Sequence, residues 1–222
     1  MAYDLEEQEQ IDTLKAWWKQ YGNLVTWLLI VALSSYAAWT GWRNYQFSQS
    51  TQASQLYDEM QKAILAKDNA KVQRAASDLI EKFTRTSYAP MAALSAAKSA
   101  FDLNDLRTAK SQLHWVIEHS SVEEYKALAR IRLAGIALDE KAYDEGLALL
   151  AGEFPAEFAG NAFDRKADIY VAQNKFVEAR SAYQAALEKI KDKNPGRKLI
   201  QIKLDAIGGA TESKVAANVG AK

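Results

Sequence analysis

Two hydrophobic patterns divide the chain near residue 54. Residues 20–42 read QYGNLVTWLLIVALSSYAAWTGW and contain no Asp, Glu, Lys, Arg or His. As an α-helix, the stretch from Trp18 to Trp39 rises about 30 Å, which is close to the hydrocarbon thickness of a bilayer. Beyond residue 54, apolar residues recur at helical spacing among charged ones, which is typical of amphipathic helices that bury one face. The sequence therefore predicts one membrane-spanning helix followed by a helical domain.

Aromatic side chains lie at both ends of the predicted span, where amphipathic rings prefer the headgroup boundary. They are Trp17, Trp18 and Tyr21 at one end and Trp39, Trp42 and Tyr45 at the other. A buried core helix and a cleaved signal peptide are the alternatives. Two aromatic clusters at membrane spacing are uncommon in a core helix, and the acidic beginning MAYDLEEQEQID differs from the basic start of a signal peptide. We interpret residues 20–42 as an uncleaved membrane anchor.

The positive charges beside the anchor predict its orientation. Lys15 and Lys19 precede the span, and Arg43 is the single basic residue close after it. Because cytoplasmic flanks carry the excess of Lys and Arg, we expect a cytoplasmic N-terminus and a translocated C-terminal domain. The sequence has no cysteine, which suits an oxidising compartment but is also common in cytosolic proteins.

Three shorter features surround the anchor. Residues 1–19 have an amphipathic pattern and predict a helix that either contacts a cytoplasmic partner or is a solvated lead-in. Within the span, Ser34, Ala38 and Gly41 share one helical side. Small residues there would let a second membrane helix approach closely, although they are also common in membrane helices generally. Residues 43–54 are mostly polar and predict a linker.

A repeat of 33 to 37 residues organises the predicted domain, residues 55–207. A large apolar, a small and a large apolar residue recur at fixed spacing in Val72-Ala75-Leu79, Leu106-Ala109-Leu113, Tyr143-Gly146-Leu150 and Phe176-Ala179-Tyr183. The small residues are 34, 37 and 33 positions apart. Each pattern follows a short polar break that is itself preceded by a helical stretch. The sequence therefore predicts four helix hairpins in an all-α fold.

This period resembles the tetratricopeptide repeat family, and the last unit carries the resemblance best. Its matching positions are Phe163, Ala167, Tyr170, Phe176, Ala179, Tyr183 and Ala186. The resemblance implies an α-solenoid, in which stacked hairpins bury a continuous core. A final helix, with Leu199, Ile202 and Ala206 on one side and Leu204 and Ile207 adding to it, is predicted to cover the open end of the stack. Residues 208–222 are small and polar, and we expect them to be disordered.

Neither charge nor motif predicts catalysis or nucleic-acid binding. The 28 basic and 28 acidic residues cancel, so no net field attracts nucleic acid. Ser95 and Lys98 have the Ser-x-x-Lys spacing of a serine nucleophile, but the companion motifs of that enzyme class are absent. His114 and His119 are five positions apart and do not share a helix face as metal ligands would. We predict no catalytic, cofactor-binding or metal-binding residues, and no enzyme.

The candidate site is instead a surface. The first helices of stacked hairpins line a groove that can hold a peptide. By alignment to the repeat, the residues predicted to face it are Met91, Leu94, Lys98, Phe101, Leu128, Ile131, Gly135, Leu138, Asn161, Asp164, Asp168 and Val171. Their mixture of apolar and charged side chains suits protein recognition. For each apolar member, burial between helices is the alternative.

The whole architecture resembles the YfgM family, the ancillary subunits of the bacterial SecYEG translocon. The local matches are Gly41-Trp42-Arg43-Asn44-Tyr45, the helix around Leu133-Ala134, Ala179-Arg180-Ser181-Ala182 and the terminal helix around Ile202-Lys203. The resemblance implies a single-pass protein of the bacterial inner membrane with a periplasmic C-terminal domain. It also implies three partners: the SecYEG translocon, a membrane-anchored periplasmic chaperone of the prolyl-isomerase type, and exported client polypeptides.

Two alternatives remain open at the level of the sequence. One is a structural adaptor of another cell-envelope complex, which would share the anchor and the repeats. The other is an anchored enzyme, which would require convergent polar side chains in a deep pocket.

Overall fold

The structure is a computed structural model that describes the backbone of residues 2–208 and the side chains of residues 9–208. The predicted disordered tail therefore lies outside the described residues, apart from Gly208. The chain divides into two compact units with the boundary between Gln52 and Ala53. Between residues 2 and 208 all regular structure is helical, in nine α-helices, so the predicted all-α fold is confirmed.

The first unit is a single helix. Helix α1 spans Ala2–Leu65, so residues 43–54 continue it without a break. The predicted linker is thus helical rather than a loop, because its Ser, Thr and Gln residues include no Gly or Pro to end the helix. By length and composition α1 could cross a membrane, and none of its apolar window is buried.

The aromatic residues of α1 form contacts at each end of the apolar stretch. The rings of Trp17 and Tyr21 lie 5.8 Å apart, and those of Trp42 and Tyr45 lie 6.2 Å apart. The Arg43 guanidinium lies 5.4 Å from the centroid of the Trp39 ring. These contacts place side chains with an apolar body and a polar tip at each end of the apolar stretch.

Most serine and threonine hydroxyl groups within the apolar stretch are satisfied inside α1. Thr26, Ser35 and Thr40 each donate to the carbonyl oxygen four residues earlier at 2.8 Å. Ser34 makes no such bond with any residue that the structure describes. Among these serine and threonine hydroxyl groups, the one on the predicted packing face is therefore free to bond outside the chain.

Eight further helices form the second unit together with the last part of α1. They are α2 (Asn69–Lys82), α3 (Tyr88–Asp102), α4 (Leu106–His119), α5 (Glu123–Asp139), α6 (Tyr143–Leu149), α7 (Ala156–Ala172), α8 (Phe176–Lys189) and α9 (Gly196–Ala206). The four predicted hairpins are the end of α1 with α2, α3 with α4, α5 with α6, and α7 with α8. Helix α9 follows as the terminal helix.

All four hairpins turn through the same backbone motif. The second residue after the first helix has a left-handed φ, at Lys67 (56°), Asn104 (61°), Lys141 (60°) and Asn174 (59°). At Asn104 the backbone N–H donates to Phe101, and the next N–H donates to Ala100, both at 2.9 Å. This is the Schellman arrangement, which satisfies the last carbonyl groups of a helix. The polar breaks in the sequence mark these turns.

Aspartates cap two of the second helices. The side chains of Asp68 and Asp105 accept from the backbone N–H of Lys71 and Thr108, each at 3.1 Å. Hydrogen bonds to the helix start lower the pKa of both carboxyl groups below the ordinary value of 3.8.

The core runs along the stack in four clusters, each of which joins three successive helices. Fully buried large side chains include Met60 and Leu79 near the first hairpin, Leu113 and Leu133 in the middle, and Ile169 in the last hairpin. The predicted small positions Ala109, Gly146 and Ala179 are buried, whereas Ala75 is partly buried and its neighbour Ala76 is buried instead. A Cβ atom on Gly146 would lie 2.8 Å from Ile169 Cδ1, so any larger residue here would require the end of the Ile169 side chain to shift.

Helix α9 packs through only part of the predicted face. Ile200 and Leu204 are buried against α7 and α8, and Ile207 packs partly buried beside them, whereas Leu199 and Ile202 are each 55% exposed. The prediction of the helix is correct for Leu204 and Ile207, but its main predicted face, Leu199, Ile202 and Ala206, is exposed. Polar contacts fix the observed orientation, because the Arg197 guanidinium donates to the carbonyl oxygens of Leu187 and Ile190 at the end of α8.

Candidate functional site

Two adjoining cavities lie along the first helices of the hairpins in the second unit. The larger, of about 630 Å³, is lined by Gln61, Ile64, Lys67, Asn69, Leu94, Ser95, Lys98, Ser99, Asp102, Leu103 and Arg132. The smaller, of about 330 Å³, is lined by Ala97, Lys98, Phe101, Asp102, Leu113, Arg132, Gly135, Ile136, Asp139 and Arg165. Because they share three residues, we treat them as one groove and use that name for both together.

Helix α3 presents its predicted face to the groove. Leu94 and Lys98 line the larger cavity, and Lys98 and Phe101 line the smaller one. Phe101 is 43% exposed, which is unusual for a phenylalanine and leaves its ring available to a ligand. Met91 is half-buried and lines neither cavity.

Helix α5 presents a face that is shifted by one residue from the predicted one. Leu128, Ile131 and Leu138 pack in the core between the hairpins. The groove is lined instead by Arg132, Gly135, Ile136 and Asp139, of which the alignment had named only Gly135. Helix α5 contacts helices on two sides, so its apolar residues do not indicate which narrow strip stays open.

Arg132 is the most unusual side chain in the groove. Its guanidinium donates to the Leu94 carbonyl oxygen at 3.0 Å, and no described carboxylate lies within 4.0 Å of it. Burial lowers the pKa of the Arg132 guanidinium, although the group stays charged. A half-buried cation without a carboxylate partner is expensive in a folded chain. The sequence signal for this groove residue is an arginine that lies between the apolar residues Ile131 and Leu133.

Arg165 of α7 extends the basic character of the groove. Its guanidinium lies over Gly135 of α5, where an added Cβ atom would come within 3.5 Å of Arg165 Cζ. One of its nitrogens is 3.4 Å from Asp168, and its buried Nε atom has no hydrogen-bond partner among the described residues. Gly135 therefore leaves the space in which this side chain reaches the groove.

The predicted acidic residues of α7 belong to an ionic network with α8 and α9. Lys203 Nζ lies 2.9 Å from both Asp164 Oδ1 and Asp168 Oδ1, and the Tyr183 hydroxyl donates to Asp168 at 2.7 Å. Burial raises the pKa of Asp164 against the opposing effect of Lys203, and burial together with Asp168 raises the pKa of Tyr183. Asn161 is exposed and Val171 is partly buried against this cluster.

The two weak chemical motifs are accounted for by local contacts. Ser95 donates to the Met91 carbonyl at 2.9 Å, and Lys98 pairs with Asp102 at 2.6 Å. His119 Nδ1 lies 3.0 Å from the Trp115 carbonyl oxygen, and the two rings stack with centroids 4.8 Å apart. Among the described residues, no three His, Asp or Glu side chains are grouped to hold a metal ion.

These features define a class of protein: a helical stack of hairpins with an open, amphipathic groove, preceded by a helix that could span a membrane. Comparison with known proteins agrees. Residues 15–209 match the family model described as a tetratricopeptide repeat-like domain.

The chain is similar over most of its length to proteins from three bacteria. Each of these proteins is named an ancillary SecYEG translocon subunit. The relative from Neisseria gonorrhoeae is 35% identical over 208 residues, which cover 93% of this chain and 100% of the relative. The one from Haemophilus influenzae is 28% identical and covers 84% of this chain and 91% of the relative. The relative from Escherichia coli is 25% identical, and the match covers 82% of this chain and 87% of the relative.

The chain therefore belongs to the family of ancillary SecYEG translocon subunits, as its resemblance to the YfgM family had predicted. A translocon subunit with repeats of this kind is a non-catalytic kind of protein. The apolar helix and the name of the relatives fit a protein of the inner membrane.

Proposed function

We propose that the chain is an anchored, non-catalytic subunit of the SecYEG translocon that binds polypeptides in its groove. The observation that carries the proposal is the match of the whole anchor-plus-repeat architecture to a relative of that name, at 35% identity over 93% of the chain. The open groove with an exposed Phe101 and with Arg132, which has no carboxylate partner among the described residues, supports binding to polypeptide rather than chemistry.

The anchor is proposed to cross the inner membrane once, with the N-terminus cytoplasmic and residues 55–207 in the periplasm. Support comes from Lys15 and Lys19 before the span, since positive flanks stay in the cytoplasm. Protease added to spheroplasts is expected to digest the second unit while a tag before residue 2 remains protected. A second unit that resists the protease until the membrane is lysed would refute this topology.

Association with the translocon is tested by purification. The chain is expected to co-elute with translocon subunits from mild detergent, and chemical cross-linking in native membranes is expected to trap the same neighbours. Trapping components of another envelope complex, with no translocon subunit, would instead support the structural adaptor. A chain that lacks residues 1–52 serves as the control for membrane attachment.

The assisting role is also a proposal. We propose that the groove receives exported or membrane proteins in concert with a membrane-anchored periplasmic chaperone of the prolyl-isomerase type. That chaperone is expected among the proteins that co-purify with the chain. Its absence from the purified complex, with the translocon still present, would remove this part of the proposal alone.

Residues Ser34, Ala38 and Gly41 are proposed to pack against a partner's membrane helix. All three are exposed in α1, nothing lies within 4 Å of the Cβ position of Gly41, and the Ser34 hydroxyl is free to donate across the contact. Gly41→Leu is expected to lower translocon co-purification several-fold. The matched change Ala32→Leu, on another side of the helix, is expected to have no effect.

A further inference from the structure

The groove carries a positive charge that the protein does not neutralise. The smaller cavity is lined by three cationic side chains, Lys98, Arg132 and Arg165, and by two carboxylates, Asp102 and Asp139. Lys98 is already paired with Asp102. Asp139 makes no ion pair with any described residue, and no described carboxylate lies within reach of Arg132. Arg132, which lines both cavities, is thus a cation without an ion pair to any described residue at the junction of the two cavities.

Arg132 is held in place for a ligand. One nitrogen is fixed by the Leu94 carbonyl of α3, so the guanidinium is oriented before binding and loses little rotamer freedom. Its remaining N–H groups are not among the buried unsatisfied atoms and therefore reach the cavities. A planar fork of such donors matches the two oxygens of a carboxylate.

The surroundings of Arg132 favour a polypeptide as the source of that carboxylate. Phe101 and Ile136 line the same cavity and offer apolar contact beside the cation. Both cavities follow the first helices, so an extended segment could occupy them in sequence. An acidic side chain next to a large apolar one would complement this arrangement.

We propose that Arg132 is a specificity-determining residue that binds an Asp or Glu side chain within an extended, otherwise apolar polypeptide segment. Arg165 supports it from α7 by adding positive potential above Gly135. The inference rests on the proposed function of the groove and adds the chemistry that the groove selects.

The test uses the full chain in neutral detergent and two fluorescent peptides with blocked ends. The peptides are identical, rich in Leu and Phe, and differ only in a central Glu or Gln. Fluorescence anisotropy is expected to show about tenfold tighter binding of the Glu peptide, because a charge-assisted hydrogen bond forms in a partly desolvated site. Arg132→Gln is expected to abolish the preference. Arg107→Gln, an exposed arginine on α4 outside both cavities, is expected to preserve it.

A charge reversal at Arg132 distinguishes a change of binding preference from a loss of folded structure. Arg132→Glu is expected to favour a third peptide with a central Lys, which a misfolded variant would not do. Equal binding of the Glu and Gln peptides by the unaltered chain would overturn the inference while leaving the groove as a polypeptide site. Failure of every peptide to bind would overturn the proposed groove function and the inference together.

Discussion

Two regions of the repeat stack, its C-terminal end and its middle, differ in how partly buried charges are paired. At the C-terminal end, Lys203 lies within 2.9 Å of Asp164 and Asp168, and α7, α8 and α9 are joined through it. In the middle, Arg132 is also half-buried, but its partner is a single backbone carbonyl. The first set is neutralised within the protein, whereas the second is not.

The difference distinguishes charges that stabilise the fold, such as Lys203, from a charge that is available to a ligand, Arg132. Removing one member of a neutralised network leaves the others unpaired and costs stability. Removing an unpaired cation takes away a desolvation cost as well as a hydrogen bond, so the two effects nearly offset. The free energy of unfolding should therefore respond differently to changes at Lys203 and at Arg132.

The largest effect is expected for Lys203→Met. The change leaves two carboxylates side by side at positions that are 24% and 17% exposed, which should lower the free energy of unfolding by about 2 kcal/mol after allowance for partial solvent screening. Denaturant unfolding of the full chain in detergent measures this, and hydrogen exchange should show faster opening of α9. Lys198→Met, an exposed lysine on the same helix, is the control.

Arg132→Met is the counterpart on the other side of the comparison. Its free energy of unfolding is expected to stay within about 1 kcal/mol of the unaltered chain. A loss as large as that of Lys203→Met would mean that Arg132 is structural, which would contradict the distinction between the two regions.

Removing one carboxylate should partly restore the stability that Lys203→Met takes away. In the Lys203→Met background, Asp164→Asn removes the repulsion between Asp164 and Asp168 and is expected to recover about 1 kcal/mol. The same Asp164→Asn change alone should destabilise or be neutral. If the two changes simply add, the three side chains do not act as one network.

A smaller effect is expected for Tyr183→Phe. The change removes the hydroxyl that donates to Asp168 at 2.7 Å and keeps the buried ring, so the loss should be about 1 kcal/mol. Thermal unfolding of the full chain measures it. Tyr88→Phe, a partly buried tyrosine in the first hairpins whose ring lies 5.7 Å from that of Tyr57, is the matched control and should change less.

The smallest effect is a pH dependence of opposite sign at two aspartates. The pKa of Asp105 is lowered by its cap, so its stabilisation is present above pH 3.8 and is lost as the pH falls through the lowered value. The pKa of Asp164 is raised, so acidification through that value favours the folded chain. Relative to Asn variants, the advantage of Asp105 should shrink in acid and that of Asp164 should grow. Melting temperatures at several pH values measure both, and parallel trends would contradict the assignment.

The turns and the repeat could be predicted from the sequence because they are local. Two of the polar breaks supply an asparagine, Asn104 or Asn174, which tolerates a left-handed φ. The period of small residues brings helices together at Gly146 and Ala179. The groove face of α5 could not be read in this way. Its apolar residues serve two neighbours, so a one-residue rotation separates Ile131 in the core from Arg132 in the groove.

Long-range pairing explains the remaining differences. Asp164 and Asp168 fall on the predicted groove face by periodicity. Lys203, which forms an ion pair with each of them, lies more than thirty positions further along the chain. Nothing in the local pattern of α7 reveals that partner. Leu199 and Ile202 of α9 are likewise exposed although the pattern predicts them buried, because Arg197 and Lys203 determine how the helix is held.

Photocross-linking in growing cells tests most directly whether the groove binds polypeptides. A photoreactive amino acid is placed at Phe101 in the groove or at His114, which is exposed on α4. Adducts with newly exported polypeptides are expected at Phe101 and should disappear when protein synthesis is stopped, and none is expected at His114. Adducts of equal strength at both positions, or none at Phe101, would contradict polypeptide binding in the groove.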